Sequence, residues 1–204
     1  MPPSKPSSRP LRADARRNQA HILEAAEAVF DTEGPSGSTE AIARRAGVAV
    51  GTVFRHFPTK ADLIQAVFTA RLQRLTDHAV QLQGAEDPGE AFLDFFLGWA
   101  ELSATKLTFA EALIGEGVDV RALARQDAYL RMRQNLLQAV EGLLQRAQRA
   151  GRVRGDVGIT ELNALLIGTA RALEQVRDDP DASARTLEVV LDGLRLRGAP
   201  PPDR

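Results

Sequence analysis

Apolar side chains recur every three to four positions along most of the chain, the period of helices with one buried face rather than of half-buried strands. Ile22, Leu23, Ala26, Val29 and Phe30 form the first such face, with Asp14 placed to cap the helix and Gly34-Pro35 to close it. Two short helices are predicted next. Ser38 caps the first, which carries Ile42 and Ala43 and stops at Gly47; the second covers about 50–57 and stops at Pro58. Thr59 and Asp62 then have capping-box spacing, with Asp in place of the usual Glu. They open a long helix bearing Ile64, Phe68, Leu72 and Leu75 on one stripe.

Beyond Gly84 and a break at Pro88-Gly89 the helical period continues. Phe92, Phe95, Phe96 and Trp99 share one face, and Glu90, Asp94 and Glu101 the other. A separate shorter helix holds Phe109, Leu113 and Ile114 and closes at Gly115 and Gly117. Residues 121–150 read as one long helix, with room for a break near its start, and with Leu130, Leu136, Leu137, Val140, Leu143 and Leu144 apolar. After a turn at 151–158, two helices of about 160–177 and 181–195 finish the pattern, the second started by Asp179-Pro180. No alternating strand pattern and no internal repeat is visible. The expected fold is therefore all-α with about nine helices. It comprises a disordered arm (1–13, with four prolines and three serines), a three-helix helix-turn-helix domain (14–58), a helical regulatory and dimerisation body (59–197) and a flexible tail (198–204).

Composition narrows the chemistry. With 204 residues, 44% of them hydrophobic, the chain can bury a core, and 5% aromatics favours helix over sheet. The absence of cysteine excludes disulfides, thiolate metal sites and cysteine nucleophiles, and it fits a reducing cytoplasm. No apolar run approaches the ~20 residues of a membrane span, and the Pro-, Ser- and Arg-rich start lacks the apolar segment of a secretory signal. A cytoplasmic protein without membrane contact is expected. Net charge is only −1, yet residues 1–75 hold 11 Lys and Arg against 7 Asp and Glu, while the remainder holds 15 against 20. A basic third on an acidic body suits a nucleic-acid reader with a separate regulatory part, although so small a difference also arises by chance. His21, His56 and His78 are isolated, and no nucleophile elbow, metalloprotease helix, phosphate loop or dinucleotide fingerprint occurs. Neither an enzyme nor a metal or other cofactor is expected.

The informative stretch runs from Ser38 to Phe57. Ala43 and Ala46 are small where two helices must approach, Gly47 permits the turn, and Ile42, Val48, Val53 and Phe57 provide the apolar side that locks the pair onto the first helix. Here the sequence closely resembles the TetR family of transcriptional regulators. The resemblance rests on Ile42-Ala43-x-x-Ala46-Gly47-Val48, then Gly51-Thr52-Val53-Phe54-x-His56-Phe57, then Lys60 and Leu63; a looser likeness covers Ala147-x-x-Ala150-Gly151-x-Val153-Arg154-x-Asp156. It implies that 50–56 is the helix laid in the DNA major groove. Val50, Gly51, Thr52 and Arg55 then stand where base edges are touched, and Ser38, Thr39, Phe54, His56 and Lys60 fall among the remaining DNA-binding positions. The residue chemistry agrees for Arg55, which can donate bidentately to guanine, and for Thr52 or Val50, which can pack on a thymine methyl. Two positions depart from the family pattern. Phe54 stands where tyrosine is usual and lacks its hydroxyl, and Thr39 stands where an apolar residue is common. Phe54 also fits a plain core position, and His56 a packing or capping one. The Arg9, Arg12, Arg16 and Arg17 cluster suits an arm reaching DNA or unspecific charge.

For the body, the resemblance implies a small apolar or amphipathic effector, with Phe96, Trp99, Phe109, Leu113 and Tyr129 as candidate lining residues. The same aromatics also fit an ordinary core. It further implies a homodimer built from the last two helices, through Leu165, Gly168, Ala172, Leu187, Val190, Leu191 and Leu194, of which Gly168 and Ala172 extend a small-residue line begun at Ala164. The implied activity is sequence-specific binding of a near-palindromic double-stranded operator, as a repressor released by its effector. A helical interaction module, or an orphan regulator without a ligand, remains the other reading.

Overall fold

The computed structural model describes residues 9–196. Residues 1–8 of the expected arm and the expected tail, 198–204, lie outside the described residues. Among the described residues there are nine helices and no strand. They are α1 (Arg9–Glu33), α2 (Thr39–Ala46), α3 (Val50–His56), α4 (Lys60–Leu82), α5 (Pro88–Gly115), α6 (Val120–Leu123), α7 (Asp127–Arg149), α8 (Ile159–Gln175) and α9 (Pro180–Leu194).

The chain forms two compact units, and α4 and α5 each contribute to both. The first unit holds the described residues up to Phe68 together with Thr108–Val118. Its buried side chains include Ile22, Ala26, Val29 and Phe30 of α1, Ile42 and Ala43 of α2, Val53 of α3, and Leu63, Ile64 and Val67 of α4, whereas Leu23 and Phe68, which the helical period also selects, are half-buried. Phe109, from the end of α5, completes this core. Its ring meets Phe30 edge-on at 6.0 Å and Phe68 at 5.7 Å, within the range of favourable aromatic pairs.

The second unit is Thr69–Leu107 with the described residues from Asp119 onward. Phe92, Phe95, Phe96 and Trp99 of α5 are buried there, as are Leu136, Val140, Leu143, Leu144 and Ala147 of α7, Leu162 and Leu166 of α8, and Leu191 and Leu194 of α9. The loop after α7 clasps the end of α9. Val153 and Arg195 form an isolated antiparallel bridge, Arg154 N–H donates to the Leu194 carbonyl at 3.0 Å, and Leu196 N–H donates to the Arg152 carbonyl at 3.1 Å. Gln148 holds the loop from beneath by donating to the carbonyls of Arg154 and Val157.

Several expectations from the sequence need correction. α1 begins at Arg9, so Asp14 lies inside the helix and does not cap it. Pro88-Gly89 is a helix start. Pro88 takes the first helical position, where a missing N–H costs nothing, and Asp87 Oδ1 accepts from Gly89 and Glu90 N–H at 2.9 and 3.1 Å. The two helices expected between residues 90 and 117 are one, and Thr105 within it donates its hydroxyl to the Leu102 carbonyl at 2.8 Å. Leu130 is exposed and not part of the α7 stripe.

Candidate nucleic-acid interface

The geometry of α2 and α3 follows from short-range signals. Ser38 Oγ accepts from Ala41 N–H at 3.1 Å, which fixes where α2 begins. At its other end Gly47 adopts φ +68°, a left-handed conformation that a side chain would strain, and Val48 N–H closes back onto the Ala43 carbonyl at 3.0 Å. The chain therefore turns within three residues and re-enters a helix at Val50. Phe57, extended as a residue before proline should be, ends α3. Thr59 and Asp62 make the expected reciprocal cap: Asp62 N–H donates to Thr59 Oγ1 at 3.0 Å, and Asp62 Oδ2 accepts from Thr59 N–H at 3.0 Å and from its hydroxyl at 2.8 Å.

α3 has a clear inside and outside. Val53 is buried, with Phe57 just past its end, and Gly51, Phe54 and Arg55 are exposed. At 100° per residue Gly51 and Arg55 both point away from the buried side, with Gly51 between Arg55 and Phe54. Val50, Thr52 and His56 are half-buried on the borders. A Cβ on Gly51 would meet nothing within 4 Å, and its φ lies outside the positive range, so neither space nor backbone conformation in this chain demands glycine there. Phe54 is 43% exposed and is the only exposed phenylalanine of the eight in the chain.

The surrounding positions differ in availability. Ser38 is exposed, and Thr39 is buried, at 8% exposure, withdrawn from the surface that Gly51, Phe54 and Arg55 present. Arg44 and Arg45 are both exposed on α2 and add two cations to this unit. Lys60 Nζ donates to the Ser36 carbonyl at 2.7 Å, tying the loop before α2 to the start of α4 and leaving its remaining N–H groups for a partner.

The other expected sites fall in different places. Phe109 and Leu113 belong to the first unit, where Phe109 is committed to Phe30 and Phe68. Phe96, Trp99 and Tyr129 belong to the second; the first two are buried, Trp99 lies 6.1 Å from Phe95, and Tyr129 is half-buried. On the last two helices Leu165, Ala172, Leu187 and Val190 are half-buried and Gly168 is exposed. Leu191 and Leu194, at 8% and 1% exposure, are buried within the chain, at the end of α9 that the C-terminal clasp holds. Two exposed apolar residues are not singled out by the sequence pattern, Ile167 at 57% and Val189 at 72%. A helical stripe of small and apolar residues does not by itself tell inside from outside. Among the described residues no helix is long and apolar enough to cross a membrane, and no group of three His, Asp or Glu could hold a metal.

Residues 22–67 match the family model for bacterial regulatory proteins of the tetR family, and residues 87–196 match the model for the C-terminal domain of SbtR-like transcriptional regulators. Among solved structures, a TetR transcription regulatory protein from Mycobacterium vanbaalenii is 40% identical with a TM-score of 0.69, covering 91% of this chain and 99% of that one. The TetR transcriptional regulator SCO0520 from Streptomyces coelicolor is 34% identical with the same TM-score, covering 88% and 99%. The uncharacterized HTH-type transcriptional regulator TtgW from Pseudomonas putida is 33% identical over 117 residues, 57% of this chain and 87% of that protein.

Proposed function

The chain belongs to the TetR family of DNA-binding transcriptional regulators, and from that premise we propose that it is a homodimeric repressor. In this reading its two α3 helices read the half-sites of a near-palindromic operator, and a small apolar or amphipathic effector releases it. The observation that carries the DNA-reading part is the outward face of α3. A glycine with open space over it stands beside an exposed arginine on a helix whose opposite face is locked into the core. Glycine in a helix is less stable than alanine by up to about 1 kcal/mol, and among the described residues no atom stands within 4 Å of where its Cβ would be, which supports a gain from what approaches from outside. Arg55 donates bidentately to a guanine edge, Val50 and Thr52 border the same groove, and Ser38, His56 and Lys60 hold phosphates to either side. Thr39, being buried, contributes through packing.

The dimer face is the outer side of α8 and α9. Ala164, Ile167, Gly168 and Val189 are exposed, Leu165, Ala172, Leu187 and Val190 border them, and a Cβ on Gly168 would meet nothing within 4 Å. A two-fold axis there would present the recognition helices about 34 Å apart, one turn of DNA. Its place of work is then the cytoplasm. An effector held in the second unit near Phe96, Trp99 and Tyr129 weakens DNA binding by the difference between its affinities for the DNA-competent and DNA-incompetent states.

Selection of bound duplexes from random DNA, with the wild type and Arg55→Ala, tests the reading. A two-fold symmetric motif that changes or disappears in the variant is the expected result. Salt-sensitive binding without a motif, equal in both proteins, would mean that charge binds and α3 does not read. In that case a helical interaction module is the better description.

A further inference from the structure

We propose that Phe54 is a specificity-determining residue that recognises the 5-methyl group of a thymine in each half-site; this rests on the reading of α3 as the recognition helix. Six of the other phenylalanines are buried and Phe68 is half-buried, whereas Phe54 stands exposed beside Gly51 and Arg55. It lies about 60° round the helix from Gly51, on the same outward side, three positions along. Among the described residues its ring pairs with no other aromatic ring, in contrast to Phe30, Phe68, Phe95 and Phe109.

The chemistry of the groove selects the partner. Base edges in the major groove offer hydrogen-bond donors and acceptors, and one apolar group, the thymine methyl. A phenyl ring has nothing to donate or accept. Set against guanine, cytosine or adenine edges it would strip water from polar atoms without replacing their hydrogen bonds, which is unfavourable. Set against a thymine methyl it removes two apolar surfaces from water together. The open space over Gly51 lets the helix axis come close enough for a residue on the flank to reach a base edge. Arg55 on one side and Phe54 on the other would then read a guanine and a thymine at neighbouring positions.

The test uses full-length protein and the operator obtained by selection. Each thymine is replaced in turn, symmetrically in both half-sites, by deoxyuridine, which removes the methyl and nothing else. Removing one buried methyl corresponds to about a fourfold loss, so the symmetric replacement should weaken the wild type about fifteenfold at one thymine position. Phe54→Ala should bind the unmodified operator more weakly and lose little further at that position. Phe54→Leu, still apolar but smaller, should keep a reduced sensitivity. If no thymine is sensitive in the wild type, or if Phe54→Ala retains the full sensitivity, the contact belongs to another residue or to the sugar and the proposal is overturned. A selection that returns no symmetric motif defeats the DNA-reading role itself, whereas a motif without a methyl-sensitive thymine defeats only the assignment of Phe54.

Discussion

Gly51→Ala should make the free protein more stable and its DNA complex weaker, two effects of opposite sign from a single substitution. The perturbation is one methyl at the centre of the outward face of α3. No atom lies within 4 Å of where it would go, and Gly51 is not among the glycines with positive φ, so the native backbone accepts alanine without strain. Replacing glycine by alanine at a compatible position reduces the freedom of the unfolded chain and stabilises by about 0.4–1 kcal/mol. Gly51 is the second residue of a seven-residue helix, so the lower end of that range, about 0.5 kcal/mol, is expected. Against DNA the same methyl occupies the line of closest approach. Forcing a methylene into a packed contact costs about 1–3 kcal/mol, or roughly five- to 150-fold in affinity for each half-site. Urea unfolding measures the first effect and fluorescence anisotropy on the selected operator the second. Unchanged operator affinity in the alanine variant would refute close approach of DNA at this position, and a drop in stability would refute the openness of the site.

Three further perturbations test separate parts of the structure. Phe109→Ala removes the ring shared by Phe30 and Phe68 and should cost about 3–5 kcal/mol, with hydrogen exchange accelerating in α1 and the start of α4; an unchanged melting curve would show that the ring is not part of that core. Hydrogen bonds from Arg154 to Asp156, at 2.6 and 2.7 Å, hold that carboxyl below its ordinary 3.8, at about 2. Because the folded value is the lower one, the contribution is present above about pH 4 and is lost as pH falls through about 2. Asp156→Asn should therefore flatten the loss of stability over that window, and parallel curves for variant and wild type would argue against the pair. Finally, Ile167→Asp or Val189→Asp should shift the protein toward monomer in sedimentation while leaving its helical content unchanged. A dimer of undiminished strength in both variants would move the interface elsewhere.

What the sequence determined by itself was local. Ser38, Gly47, Pro58, Thr59 with Asp62, and Asp179-Pro180 each act on backbone groups within a few residues, and each stands in the structure where its chemistry predicts. The helix-turn-helix is legible for that reason, since its turn, caps and small contact residues all lie within 20 consecutive positions. Tertiary structure decided which apolar faces are shared and with what. Period alone placed Phe109 on a helix, but only packing gave its ring to Phe30 and Phe68. Likewise, Leu187, Val190, Leu191 and Leu194 lie on one stripe in the sequence, and the last two are buried beside the bridge between Val153 and Arg195 while Val189 is exposed on the single chain. Hydrophobic burial is non-directional, so a stripe specifies that it will be covered but not by which partner. That choice depends on chain segments as far apart as 153 and 195, brought together only when the whole unit closes.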